Sequence, residues 1–354
     1  MLALHVNRWA ERLPWPIGRR LNRLVPPSYG YYFVFLQRPL VVLIPEDIYD
    51  DPPHWEPLFQ AVRSSKVHFL CMVRGAVEDD PEGYPQRIAR VVAAHRQRFP
   101  GHTLTFLANN AAQTSVYEAA GLPHLHVNQN AYVDETVFTV KEDEEREFDA
   151  VYNAFSAPFK RHHLAHAVER LALVTYVRGT ESEGYFRDHT AAMPGARWLN
   201  FPPGPPELAA YRSIPPRELA VWLNRARVGL CLSAREGAMF ASMEYLLCGL
   251  PVVTTRSSGG RDVFFDPEHT LTVDDDAQAV AQGVREMAAR RIDPHAVRVR
   301  ALGKVGEHRR RLVAFIAACA AREGVVVDEA ELERRIFPQQ IYMPRPFHTL
   351  LGLA

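Results

Sequence analysis

Apolar residues along the 354-residue chain fall into two series of short runs with a charged stretch between them. In the first series Phe33 to Ile44 and Val67 to Val73 predict buried strands, the former interrupted by Gln37-Arg38, and Leu104 to Leu107 predicts a third. Between them Tyr84 to Phe99 carries apolar residues at roughly helical spacing, and a second helix around Thr114 to Ala120 is stopped by Gly121. Strand alternating with helix implies a parallel sheet. After Asn130 to Phe138 comes the charged run Glu142 to Glu147, and the alternation restarts at Phe148. Strands are predicted at Ala150 to Asn153, Ala172 to Val177, Trp198 to Phe201, Val228 to Ser233 and Pro251 to Thr255. Helices are predicted near His163 to Leu171, Glu218 to Arg225 and Ala238 to Cys248. The expected organisation is a leader over 1–28, Rossmann-like domains over 29–140 and 141–335, and a tail over 336–354 that packs back on the first domain.

Composition narrows the function. Lys+Arg and Asp+Glu both number 41, which argues against a nucleic-acid protein with a basic surface throughout. Cys71, Cys231, Cys248 and Cys319 form no C-x-x-C pair, so reduced thiols in a cytoplasmic protein are expected. No run reaches the ~18 apolar residues of a spanning helix. The first 25 residues carry five Arg among Trp and Leu. They suit either a peripheral contact with an anionic membrane or a leader packed on the body, with Pro14 and Pro16 limiting any helix. The basic stretch Arg285 to Arg311 has the same two readings, an anion-docking face or an ordinary solvated helix.

The most informative stretch runs from Ser233 to Thr255. An apolar strand leads through a polar loop into a helix whose stop signals are Gly249 and Pro251. Loops after the carboxyl ends of parallel strands are where such sheets place ligands. Backbone N–H groups at Gly237, Ala238 and Met239, with the positive helix end, would favour a phosphate, and Gly237 lets the backbone come close. Glu236 precedes the helix and Glu244 follows eight residues on, so the two carboxylates could span a sugar nucleotide.

Ser233, Glu236, Gly237, Glu244, Gly249, Pro251, Val252 and Val253, followed by Gly259-Gly260-Arg261-Asp262, resemble the Glu-x7-Glu motif of retaining GT-B glycosyltransferases, the glycosyl transferases group 1. Asn130-Ala-Tyr-Val-Asp134 with Phe138 is similar to the signature closing that family's N-terminal domain, with one extra residue. The resemblance covers roughly residues 128 to 310. It implies an α/β fold of two Rossmann-like, doubly wound domains facing a cleft, with the donor on residues 150 to 265 and the acceptor on residues 40 to 135. It further implies that Glu236 contacts the transferred sugar, that Glu244 binds the nucleotide ribose, and that Lys160, one of four Lys in the chain, neutralises the diphosphate. The family's Arg should lie five or six residues before that Lys, where Ala154 and Phe155 stand; Arg161 is the candidate substitute. Ser233, Ala238, Met239, Gly259 and Gly260 complete the implied donor site.

The first domain departs further. Leu43-Ile-Pro-Glu-Asp47 has no Gly where the family has a Gly-rich loop. His124, His126, Asn109, Asn110 and Asn130 are candidates for the cleft, each also readable as a packed residue. Asp274-Asp-Asp276 is read as a helix cap, not a metal site. The expected activity is metal-independent, cofactor-free transfer of a sugar from a nucleoside diphosphate sugar to a hydroxyl acceptor, with retention. A nucleotide-sugar epimerase of the same fold and a degenerate donor-binding subunit are the alternatives.

Overall fold

The computed structural model describes residues 32–45, 52–73 and 75–337. The leader, residues 46–51 of the Gly-free loop and the tail beyond 337 lie outside the described residues. The chain divides into two compact units. Among the described residues, one holds those up to Asp134 together with those from Gly306 onward, and the other holds Glu135–Val305.

The first unit is built on a five-stranded sheet in consecutive order: β1 (Phe33–Gln37), β2 (Leu40–Ile44), β3 (Val67–Met72), β4 (His102–Ala108) and β5 (His124–His126). β1 and β2 pair antiparallel, so Phe33 to Ile44 is a hairpin turning at Arg38-Pro39 rather than one interrupted strand. The remaining pairs are parallel. Successive strand residues point to opposite faces, and here both faces are apolar. Val42, Ile44, Phe69 and Cys71 face a core completed by α1 (Pro52–Ala61), α2 (Gly83–Arg98) and α3 (Ala111–Ala119), while Val41, Leu43, Leu70 and Met72 face the other way.

Leu312, Val313, Ile316, Leu332, Ile336 and Phe337 cover that second face. For this reason residues 306–337 belong to the first unit and not, as the sequence suggested, to the second. A sheet apolar on both sides needs two layers, and among the described residues the α-helices before Asp134 pack only on the first core.

The second unit carries six parallel strands in the order β13-β11-β9-β6-β7-β8. Along the chain these are β6 (Phe148–Phe155), β7 (Leu171–Tyr176), β8 (Arg197–Trp198), β9 (Ala226–Cys231), β11 (Val252–Thr254) and β13 (Thr270–Thr272). Its helices are α4 (Gly179–Ala192), α5 (Pro216–Asn224), α6 (Phe240–Leu247) and α7 (Ala277–Ala289). Helix α8 (Pro294–Arg322) follows, and α9 (Glu329–Ile336) closes the described chain. The expected helix near His163 to Leu171 is only a 3₁₀ turn over His162–Ala165. Because β7 and β8 extend the sheet to one side of β6 and β9, β11 and β13 to the other, the strand order reverses between β6 and β9. Crevices at such reversals are the preferred ligand sites of open α/β sheets.

Candidate functional site

The loops after β6 and β9 leave the sheet side by side at this reversal, and the Ala234 N–H donates to the Phe159 carbonyl across them (2.8 Å). Lys160 ends a 3₁₀ turn whose first residue is Pro158, and Tyr152 Oη donates to its carbonyl. The Lys160 ammonium lies over the Phe159 ring, 5.2 Å from its centre, and is ion-paired with Glu236 Oε1. Each side chain of the pair is 10% exposed. The structure thus brings together two of the three residues, Glu236, Lys160 and Arg161, expected at the sugar and diphosphate of the donor.

The third is turned elsewhere. Arg161 sits in the left-handed region (φ 52°) and its guanidinium donates to the Leu232 carbonyl (2.6 Å), Asp275 (2.6 Å), Thr255 Oγ1 (2.7 Å) and the Arg256 carbonyl (3.2 Å). It anchors the ends of three segments to one another, in place of the expected stand-in for the family's Arg. Its partner Asp275 lies within the acidic triplet, where Asp276 is the N-cap of α7, accepting from the Ala279 N–H at 2.9 Å. Among the described residues no group of three or more His, Cys, Asp or Glu is arranged to hold a metal ion.

Glu236 belongs to a two-residue strand, β10 (Arg235–Glu236), which pairs parallel with β12 (Ser258–Gly259). Gly259 makes that pairing possible. Its φ is +97°, and a Cβ there would lie 1.4 Å from the Glu236 carbonyl oxygen. Gly260 then donates to the carbonyls of Glu236 (3.2 Å) and Gly237 (2.8 Å). Arg261, whose side chain is 0% exposed, fastens the same loops from beneath. It donates to the carbonyls of Cys231 (3.0 Å), Ser233 (2.8 Å) and Thr255 (2.5 Å), to Thr254 Oγ1 (2.7 Å), and to the adjacent Asp262. In sequence alone Arg261 reads only as part of a Gly-Gly loop.

Helix α6 starts at Phe240, two residues later than expected. Gly237, Ala238 and Met239 therefore form the approach to its N-terminus, and Met239, the N-cap residue, provides no side-chain cap. The Ser233 hydroxyl faces the Met239 sulfur at 3.8 Å. Glu236 lies in β10 ahead of the helix, and only Glu244 is carried by α6. Glu244 lies one turn into α6, where its Oε2 accepts from Asn153 Nδ2 at 2.8 Å. Burial pushes its carboxyl up to about 7, against the opposing effect of the Asn153 hydrogen bond.

In the first unit, Asn109 is fully buried in an amide network at the carboxyl ends of β3 and β4. Its Nδ2 donates to the Val73 carbonyl (3.0 Å) and its Oδ1 accepts from the Gln129 N–H (3.0 Å). Asn130, also 0% exposed, donates its N–H to Asn128 Oδ1 (2.8 Å). Asn110 caps α3 through Gln113 N. Asn109 and Asn130 thus lie in the interior, while Asn110 is half-buried and also donates Nδ2 to Glu78 Oε1 (2.7 Å). His126 packs edge to face on His308, with ring centres 5.2 Å apart, and burial holds its pKa down. His124 Nδ1 donates to the Leu122 carbonyl (2.9 Å). No described helix is long and apolar enough to cross a membrane.

Comparison with known proteins bears on this same region. The family model described as "Glycosyl transferases group 1" matches residues 207–290, the segment from before α5 through α7 that includes Ser233, Glu236, Glu244 and Gly259. Comparison with curated proteins gives no match. Among solved structures, Anabaena HepE in complex with UDP and glucose aligns with TM-score 0.52 at 12% identity, covering 82% of this chain and 81% of that one. OtsA aligns with TM-score 0.50 at 10% identity, covering 81% and 73%. At such identities the likeness concerns the fold, which is GT-B, with two Rossmann-like α/β units. The match over 207–290, together with that fold, supports an enzyme of glycosyltransferase type.

Proposed function

We propose that the chain transfers a sugar from a nucleoside diphosphate sugar to a hydroxyl acceptor, with retention of configuration and without a metal ion. The observation that carries this reading is the Lys160–Glu236 pair at the strand-order reversal of the second unit. Lys160 and the N-terminal end of α6 supply the positive charge a departing diphosphate requires, a role that a divalent ion fills elsewhere. Glu236 contacts the transferred sugar and Glu244 accepts the ribose hydroxyls. Gly237, Ala238, Met239, Gly259 and Gly260 provide the close backbone approach.

The acceptor oxygen attacks the anomeric carbon on the face from which the phosphate leaves. The carbon–oxygen bond to phosphate breaks as the new one forms, and the acceptor proton passes to the leaving phosphate oxygen. With no second Arg placed before Lys160 and Arg161 committed to the protein, most of the side-chain neutralisation within this unit falls on Lys160.

A thermal-shift screen of UDP, ADP, GDP and dTDP and their glucose conjugates identifies the donor, because a ligand that binds only the folded protein stabilises it by mass action. The UDP and glucose bound to HepE make UDP-glucose the first to try. Transfer and donor hydrolysis are then compared between the native protein and Glu236→Ala; undiminished turnover in the variant removes Glu236 from the reaction. Nucleotide binding without turnover on a broad acceptor panel would mark a donor-binding subunit instead. An isomerised donor formed without acceptor would mark an epimerase.

A further inference from the structure

Two adjacent residues of α6 grip one residue of β6. Glu244 accepts from the Asn153 side chain at 2.8 Å, and the Tyr245 hydroxyl oxygen accepts the Asn153 backbone N–H at 2.6 Å. Tyr245 is itself fixed, since its ring lies against Gly229 of β9, where a Cβ would fall 2.4 Å from the ring edge. Asn153 is 4% exposed and lies in the middle of the sheet, registered with Val174 of β7. An amide here has no apolar packing rationale. Burying it has a cost unless it is hydrogen-bonded, and the partner it finds is the carboxylate on the next helix.

We propose that Asn153 is a positioning residue that orients the Glu244 carboxylate toward the ribose diol of the nucleotide donor. This rests on the reading of Glu244 as the ribose acceptor. An ionised carboxylate has acceptor sites on both oxygens. The Asn153 N–H occupies one direction on Oε2, fixing the plane of the group, and leaves Oε1 and the remaining Oε2 direction for two hydroxyls. The amide also opposes the burial that favours the protonated acid, which would turn one acceptor into a donor.

The test is calorimetric binding of UDP, ADP and GDP and of their 2′,3′-dideoxy forms to the native protein, Asn153→Leu and Asn153→Ser, from pH 5.5 to 8.5. Neither substitution removes the backbone bond to Tyr245, and Asn153→Ser keeps a small polar group should Asn153→Leu fail to fold. The native protein is expected to prefer the ribonucleotide, with affinity rising through pH ~7 as Glu244 ionises. Each variant should lose on the order of tenfold in ribonucleotide affinity and little for the dideoxy form. The midpoint of the pH dependence should also move upward in both. If the native protein binds both forms equally, or none of the three nucleotides, the reading of Glu244 fails and the proposal with it. If the native protein discriminates but the variants keep its discrimination and pH midpoint, the reading of Glu244 stands and the role of Asn153 is refuted. Equal loss for both forms assigns Asn153 a purely structural part and also refutes it.

Discussion

Replacing Glu236 by Gln separates the charge of the site from its shape. Two opposite charges in contact attract by about 5 kcal/mol at an effective dielectric near 20, much of it offset by desolvation. Removing one partner of a buried pair typically costs ~3–5 kcal/mol, because the other charge stays behind unpaired. Since both side chains here keep 10% exposure, the cost of Glu236→Gln is expected at about 2–3 kcal/mol, seen as a lower urea midpoint with an unchanged slope. Sugar transfer should be lost. Binding of the nucleoside diphosphate without its sugar should instead hold or tighten, by up to about tenfold, because Lys160 no longer has to leave a carboxylate to meet the phosphate. Saturating nucleotide should therefore stabilise the variant at least as much as the native protein. A diphosphate affinity that falls together with transfer would refute the division of labour in which Lys160 serves phosphate and Glu236 serves sugar. Near-native stability would refute the strength given to the pair.

Arg261→Met should destabilise by about 2–4 kcal/mol in urea titrations, since it removes four hydrogen bonds at the ends of β9 and β11 and takes that donor from the Ser233 carbonyl, while the Cys231 and Thr255 carbonyls keep the Thr254 hydroxyl. A loss below about 1 kcal/mol would show that water or neighbours replace the guanidinium. Gly259→Ala places a Cβ on the Glu236 carbonyl at a positive φ, so a cost of at least about 2 kcal/mol and loss of transfer are expected, checked by urea midpoint and activity. His95 is held down to about 4 by burial and by the neighbouring His102, with which it shares a 3.1 Å hydrogen bond. Its folded pKa lies below the unfolded value near 6.5. The stability it contributes, up to about 3 kcal/mol, is therefore present above pH ~6.5 and lost as pH falls toward 4. Urea midpoints measured between pH 7 and 4 should fall less steeply in His95→Leu; an unchanged slope would mean that the other buried histidines dominate acid unfolding.

The strand, loop and helix from Val228 to Gly249 were legible in the sequence because each step has a local signature: an apolar run, a Gly where backbone must come close, and a Gly-Leu-Pro stop. The sheet order was also approachable, since α/β alternation leaves few topologies. Helix α4 was not. Its buried face consists of Ser182, Glu183, Phe186 and His189, three of the four polar, so no periodicity of apolar residues reveals it. The hairpin of β1 and β2 read as one broken strand because a turn at Arg38-Pro39 and a polar interruption look alike in one dimension. Assignment of α8 was hidden by its basic surface, while the stripe that packs, from Leu312 to Ile316, is short and lies beyond the stretch that drew notice.

At the site the division is sharper. Residues that were found, Glu236, Glu244 and Lys160, stand beside recognisable spacing. Those that were missed or misplaced, Arg261, Arg161 and Asn109, bind largely to main-chain groups of distant segments. A backbone carbonyl has the same chemistry whatever residue carries it, so its partner leaves no mark on the sequence at the other end of the bond. The same holds for Gly259, whose φ of +97° answers a carbonyl 23 residues earlier. Side chains that face a ligand and side chains that hold the loops facing it are thus equally polar and often adjacent, as Lys160 and Arg161 are. What separates them is where the neighbouring strand ends: β9 stops at Cys231, which delivers the Leu232 carbonyl to Arg161 and leaves Glu236 to Lys160.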